Sequence, residues 1–385
     1  MKRFGIFSEI SFKILFSLST IIISKPLKAL PEIARYGHFT CTSCHVSPSG
    51  GGVMTTYGKD FSSEKLSTWS YYGEEKLLHG LVPHSDTLLF SGDARWVNYS
   101  KTSGDTKVNK FWRMQTDFEA GGHYGPLWAI FSMGTKPAGP NDKPEDHQEL
   151  KIRGYYLRGD LWDEHITARA GLFIPKYGLM LSDHTAFIRS VTGLGPDSEQ
   201  TQAEFTYQDD LWEVTAAIII ESEANEREGK TRSGYSLGLS NFLMKKHRLN
   251  LNVLSMAAKS GETINENQSF GLSGVATIMR KLFLSAEIDR IHNTTKTSIG
   301  TSGVEMLATY STLNIEIYKG IVPYIRYEYF DSDINSADSS YTRMGAGSNW
   351  YPRPHFQFDV RYSRILDANR RSGSNQTDAI IHYYF

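Results

Sequence analysis

The sequence predicts an all-β chain: a transmembrane antiparallel up-and-down β-barrel of about 16 strands, preceded by a small segment with little regular structure. Three observations predict it. Apolar and polar residues alternate with a period of two through most of the chain beyond residue 86, short polar links alternate with long ones, and the sequence stops on the aromatic stretch Asp378-Ala379-Ile380-Ile381-His382-Tyr383-Tyr384-Phe385. The elements are justified in chain order below.

Residues 1–29 read as a secretory signal peptide. Lys2 and Arg3 give a basic start, Ile14 to Ser24 is an apolar run too short to cross a bilayer as a helix, and Pro26 and the small Ala29 mark the cleavage region. Export leaves residues 30–86 as a short segment of its own ahead of a barrel over 87–385.

The short segment holds both cysteines of the chain, in one pentapeptide: Cys41-Thr42-Ser43-Cys44-His45. This is the C-x-x-C-H spacing for covalent attachment of a c-type haem. Cys41 and Cys44 would form thioethers to the porphyrin, and His45 would be the proximal iron ligand. A local disulfide, or half of a zinc site completed from elsewhere, is the competing use of the pair. For the sixth iron position Met54 is the leading candidate, because the Gly50-Gly51-Gly52 turn before it can fold it back; His38, His79 and His84 compete. His38 stands so close to Cys41 that reaching the far face of the ring is awkward. The glycine run is no phosphate loop, since neither a preceding strand nor a Lys-Ser/Thr pair accompanies it.

Beyond residue 86, strands are expected to start near 87, 108, 126, 149, 165, 201, 212, 233, 247, 267, 282, 303, 321, 341, 355 and 377. Their two faces differ in kind. Trp112, Met114, Thr116, Phe118 and Ala120 oppose Arg113, Gln115, Asp117 and Glu119; Ala203, Phe205 and Tyr207 oppose Gln202, Glu204 and Thr206. Leu284 and Ile288 oppose Ser285, Glu287 and Asp289; Ile325 and Tyr327 oppose Arg326 and Glu328; Phe358, Val360 and Tyr362 oppose Asp359, Arg361 and Ser363. A sandwich would bury the apolar faces, whereas a membrane barrel turns them to lipid and the polar faces to water. The links decide for the barrel. Gly121-Gly122, Asp209-Asp210, Arg280-Lys281 and Lys319-Gly320 are short, and they alternate with long links over 135–147, 175–200, 221–232, 258–266, 292–302, 331–340 and 366–377. An even strand count returns both ends to the periplasmic side, and a cylinder of this size encloses water.

Composition excludes other classes. No long apolar segment follows residue 24, so a helical membrane protein is out, and a formal charge of −1 offers no broad basic surface for nucleic acid. The longest link, 175–200, carries Lys176, Asp183, His184 and Arg189 and either folds into the lumen or lies on the surface. Asp93, Asp117, Glu119, Glu204, Glu287 and Asp289 either line a cation route or are the polar face that any lumen needs. No Ser/His/Asp or Cys/His catalytic grouping is legible.

With its Cys41-Thr42-Ser43-Cys44-His45 motif, the flanking Ile33 to Thr40 and Tyr57-Gly58-Lys59-Asp60-Phe61 segments and the barrel that follows, the chain resembles the fused cytochrome–porin family, which includes bacterial outer-membrane iron oxidases. The resemblance implies one covalent haem c plugging an outer-membrane barrel. It also implies electron exchange between an extracellular donor or acceptor, such as ferrous iron, and a periplasmic carrier such as a soluble cytochrome c. The alternative reading is a diffusion porin for small solutes with a disulfide- or metal-stabilised plug.

Overall fold

A computed structural model describes residue 36 and residues 40–385 except 82–84, 86, 136–148, 163–164, 184, 196–197, 222–230 and 369–372. The signal-peptide reading, His38, His84 and His184 fall outside the described residues.

Sixteen antiparallel strands form one closed barrel in which each strand pairs with its chain neighbours and the last pairs with the first. They are β1 Leu88–Ser103, β2 Thr106–Tyr124, β3 Leu127–Thr135, β4 Leu150–Leu161, β5 Ile166–Phe173, β6 Gln200–Gln208, β7 Trp212–Ile219, β8 Thr231–Asn241, β9 His247–Ser260, β10 Thr263–Met279, β11 Leu282–Thr297, β12 Gly300–Ile315, β13 Ile321–Asp331, β14 Ser340–Trp350, β15 Phe356–Asp367 and β16 Gly373–Tyr384. The seam is in register from Asp93↔Tyr384 to Ser103↔Ser374. Beyond it, Gly92 and Phe385 exchange both backbone hydrogen bonds at 3.1 Å. Gly92 is required there, because a Cβ would lie 2.5 Å from the Phe385 ring.

Burial along the strands is inverted relative to a water-soluble fold. Phe205 is 47% exposed while its neighbour Glu204 is 3% exposed, and Ile325 is 60% exposed while Glu328 is 0% exposed. Alternation puts such neighbours on opposite faces. The carboxylates therefore face the lumen and the aliphatic and aromatic side chains cover the outside, as lipid requires. No described helix is long and apolar enough to cross a membrane; the crossing is made by strands.

Three expectations are corrected. The links over 258–266 and 292–302 are not long loops: β9 runs to Ser260 and β10 starts at Thr263, while β11 and β12 meet through 298–299. The Thr-, Asn- and Glu-rich residues there continue the ladder, with Asn265↔Thr295 and Asn293↔Val304 still paired. Such residues lack an apolar face, so alternation is silent, yet backbone pairing needs none. On β2 the expected single face from Trp112 to Ala120 is broken by a bulge opposite Arg95/Trp96. Gln115 pairs with Arg95 but Arg113 pairs with Trp96, so the extra residue, Met114, exchanges the faces. Trp112 then turns inward to stand edge-on to Tyr99, 5.8 Å between ring centroids, and Arg113 turns outward. The Gly121-Gly122 pair likewise lies within β2, and the turn falls at Gly125 instead.

The lumen is occupied. Residues 40–66 enter it as a plug made of a one-turn 3-10 helix Cys41–Ser43, helix α1 Thr56–Phe61 and a π turn Ser62–Leu66. Residues 67–81, with a 3-10 turn Leu77–Gly80, lie across one end of the barrel, where the Thr68 and Trp69 amides donate to the Tyr351 and Pro352 carbonyls at 2.7 and 3.0 Å. Helix α1 starts where the Thr55 hydroxyl accepts from the Gly58 amide at 3.1 Å, an N-cap. The described residues of 174–199, between β5 and β6, fold inward as well and carry the short helix α2 Phe187–Val191. Ala186 and Ile188 pack on Val275, Ile291, Ala308 and Tyr310 of the inner wall.

Candidate functional site

The Cys41-to-His45 motif forms one helical turn. The Cys44 and His45 amides both donate to the Cys41 carbonyl, at 3.2 and 2.9 Å. Both thiols are free and buried. Burial, and Cys41 beside it, push the Cys44 thiol up to about 12, so it is protonated at neutral pH. The chain then reverses through Gly50, Gly51 and Gly52, whose φ values of 76°, 67° and 69° are left-handed. A side chain would be strained at each. The reversal makes a miniature hairpin: the Val46 amide donates to the Val53 carbonyl at 2.9 Å, and His45 is bridged to Met54.

Helix α1 lies directly against this turn. The Thr55 amide donates to the Cys44 carbonyl at 2.9 Å, and a Cβ on Gly58 would sit 2.4 Å from that oxygen. Gly58→Ala is accordingly expected to push α1 off the cysteine turn at a cost of roughly 1–3 kcal/mol, the usual range for overpacking. Limited trypsin digestion reads the effect: faster cleavage at Lys59 with an unchanged barrel core.

The plug is tied to the wall by polar contacts on early strands. Arg158 of β4 and Arg169 of β5 are directly opposed in register. Like charges so placed repel unless acceptors lie between them. Arg158 pairs with Asp160 at 2.7 Å and donates to the Val46 carbonyl. Arg169 pairs with Glu204 at 2.7 Å and donates to the hydroxyls of Ser47, at 3.0 Å, and Ser49. Around them Val46 and Val53 pack on Leu89 and Ile130, each buried Val contributing roughly 1.5–3 kcal/mol. Further along, the Met54 amide donates to the Ser91 hydroxyl at 2.9 Å, Lys59 Nζ to the Phe90 carbonyl at 2.8 Å, and Ser62 meets the Tyr384 hydroxyl at 2.8 Å.

Between plug and inward loop lies a cavity of about 570 Å³, lined on the plug side by Cys44, His45, Gly51, Gly52 and Met54 and on the loop side by Met180, Asp183 and Arg189. Burial pushes the His45 imidazole down to about 4, keeping it neutral; the Gly52 and Gly51 backbone nearby opposes this, yet no hydrogen bond closes on Nδ1. Neutral imidazole is the form that binds iron. Met54 stands beside His45 rather than across from it, because bridge-paired residues project to the same side. His79 is exposed and packs edge-on to His355, ring centroids 5.0 Å apart, outside the cavity lining. Among the described residues no group of three or more His, Cys, Asp or Glu is arranged to hold a metal ion.

The loop is latched to the far wall. Asp183 pairs with Arg326 at 2.5 Å and with Arg361, the Phe187 amide donates to Glu328 at 2.8 Å, and the Leu179 amide donates to Glu287 at 2.6 Å. Burial alone would raise the Asp183 carboxyl, but Arg361 and Arg326 hold it well below the usual range. A depressed folded value means that the latch is fully present above the unfolded value of about 3.9 and is lost only as pH falls through the lower folded one. Tryptic cleavage of the loop at Lys176 or Arg189 should therefore stay slow across neutral and mildly acidic pH in the native chain. Asp183→Asn should make it fast at neutral pH.

No family model matches the chain, and no curated protein matches it. Solved structures do. In-vitro folded OmpT of Vibrio cholerae superimposes with a TM-score of 0.59 at 13% identity, over 78% of this chain and 99% of that one. The fold is that of the outer-membrane porins. An anion-selective porin from Comamonas acidovorans matches with a TM-score of 0.57 at 10% identity, over 78% of this chain and 99% of that one. The channel DcaP of Acinetobacter baumannii matches at 0.54 and 11%, over 77% and 97%. At such identities the likeness is one of fold. Together with its apolar exterior it makes this chain a porin-like barrel of the Gram-negative outer membrane.

Sequence reasoning missed the anchors of this porin-like barrel, Arg158 and Arg169, and the placing of Met54. The signal for the first was legible: two arginines at lumen-facing parity on consecutive strands need acceptors. For the second there was none, since a glycine turn fixes a reversal but not its register.

Proposed function

We propose that the plug carries one covalently attached haem c and that the barrel passes electrons between an extracellular donor or acceptor, ferrous iron being the first to try, and a periplasmic carrier such as a soluble cytochrome. One observation carries the reading. The chain's two cysteines, both buried, share a single helical turn, and the histidine that follows them lines a cavity inside a closed membrane barrel.

The residues fit the group. Cys41 and Cys44 are free thiols on one turn, the His45 imidazole is neutral with an unpartnered ring nitrogen, and the glycines of the reversal leave room beside it. When bound, the haem supplies a one-electron iron couple. The two thiols would tether it and His45 would be its proximal ligand. Met54 would be its sixth ligand if its bridge to His45 opened. Arg158 and Arg169 hold the plug in the lumen, and the wall excludes bulk water from around the turn.

The second reading, a diffusion porin whose plug is stabilised by its cysteine pair, is favoured by the neighbours' descriptions as porins and channels. The two separate on the purified mature protein. A haem-stained denaturing gel with a reduced-minus-oxidised visible spectrum is expected to show c-type bands, and reduction by ferrous iron tests the donor. A colourless protein that conducts small ions steadily in planar bilayers would overturn the electron-transfer reading and leave the porin.

A further inference from the structure

The arginines lining the cavity are paired with carboxylates, with one exception. Arg95 meets Asp93 at 2.7 Å, Arg153 meets Glu199 at 3.0 Å, Arg169 meets Glu204 at 2.7 Å, Arg326 meets Glu328 at 2.6 Å and Arg361 meets Asp378 at 2.8 Å. Arg189, on α2 of the inward loop, lines the same cavity and forms no ion pair among the described residues. It is only 6% exposed; its Nε is buried without a hydrogen-bond partner, and its Nη1 reaches the Met180 thioether at 3.8 Å. Glu287 is near enough to favour its charge, yet that carboxylate already accepts from the Leu179 amide.

A guanidinium stays protonated in a protein, and a charge taken out of water without a partner costs several kcal/mol. Burial lowers this one to about 10, which leaves it cationic at neutral pH. The loop around it is fastened at Leu179, Asp183 and Phe187, so the side chain is held at the cavity wall by its scaffold rather than by an ion of its own. What is missing is an anion with paired acceptor oxygens, the shape a guanidinium fork takes best.

We propose that Arg189 is the receptor for a carboxylate held in the cavity between plug and loop. Two sources supply that chemistry. One is a propionate of a haem tethered at Cys41 and Cys44, which rests on the function proposed above. The other is a free small carboxylate in the lumen, which does not. The shared cavity lining brings both within the argument, since His45 stands on one wall and Arg189 on the other.

The full-length protein and its Arg189→Gln and Arg189→Lys variants test the site, with heat-modifiable gel mobility checking that each barrel is folded. If a propionate is the occupant, Gln keeps the covalent haem but lowers its midpoint potential and makes it pH-dependent as the carboxylate begins to titrate. Lys restores most of both. If a free carboxylate is the occupant, acetate at constant ionic strength raises the thermal midpoint of the haem-free Cys41→Ser/Cys44→Ser protein. Arg189→Gln then weakens acetate binding about tenfold or more, the scale of one charge-assisted pair. Should the Gln barrel not fold, Arg189→Met removes the charge while keeping the stem and takes the same readings. A potential and an acetate response both unmoved by loss of the charge overturn the proposal. A wild-type protein without haem sinks the function proposed above but leaves the acetate measurement to judge the site.

Discussion

The Cys41→Ala/Cys44→Ala double variant is expected to fold as the same heat-modifiable barrel and to lose covalent haem entirely on a stained denaturing gel. The two halves of that result have separate causes. Both thiols are free, so no cross-link is removed from the fold, and the plug keeps its anchors on Arg158 and Arg169. The thioether bonds of the proposed haem would have no other donor, because the chain contains two cysteines in all. His45→Gln makes the companion variant: covalent attachment persists, but the reduced spectrum changes because the axial nitrogen is gone. A double variant that still stains for haem after denaturation would falsify the assignment of the tether.

Arg169→Leu is expected to have the largest effect on the plug. It leaves Glu204, 3% exposed, as a buried carboxylate with no cation, and removing one partner of such a pair typically costs about 3–5 kcal/mol. It also strips donors from Ser47 and Ser49, and the guanidinium's face on the Phe173 ring at 3.8 Å. The hairpin from His45 to Met54 should then leave the wall. Trypsin cleavage at Lys59, shielded in the native chain by its bond to the Phe90 carbonyl, should accelerate by an order of magnitude or more. Ion conductance through the purified barrel should rise in parallel. The Arg169→Leu/Glu204→Leu double variant should recover part of the loss, since no charge is left unpaired. An unchanged cleavage rate in the single variant would mean that other contacts hold the plug.

The barrel was legible because two independent signals agreed. Alternation located strands such as β6, β11 and β13, and the links between them ordered the meander; expected and observed strand starts differ by only a few residues, the largest gaps being at Thr263 and Gly373. The reading failed where only one signal was present. Over 258–266 and 292–302 both faces of the strand are polar, so the ladder runs on into water without leaving a pattern. At Met114 a single inserted residue reverses which side chains meet lipid, and no local preference announces it. The cysteine turn was legible from five consecutive residues. What surrounds it was not, because Arg158, Arg169 and Arg189 approach from segments more than a hundred residues away, and their partners are fixed by the closure of the sheet rather than by spacing.

The seam between β1 and β16 carries a consequence for biogenesis. The plug rests on β1, β4 and β5, and the N-terminal segment also reaches the late part of the chain: Ser62 meets Tyr384, and Thr68 and Trp69 bind the carbonyls of Lys319, Tyr351 and Pro352. Its docking surface is thus completed only when the last strands and the link over 351–355 are in place and Phe385 zips to Gly92, turning an open curtain of strands into a sealed tube. Seating of the N-terminal segment and insertion of the final hairpin are therefore expected to lock together, each supplying the other's missing surface.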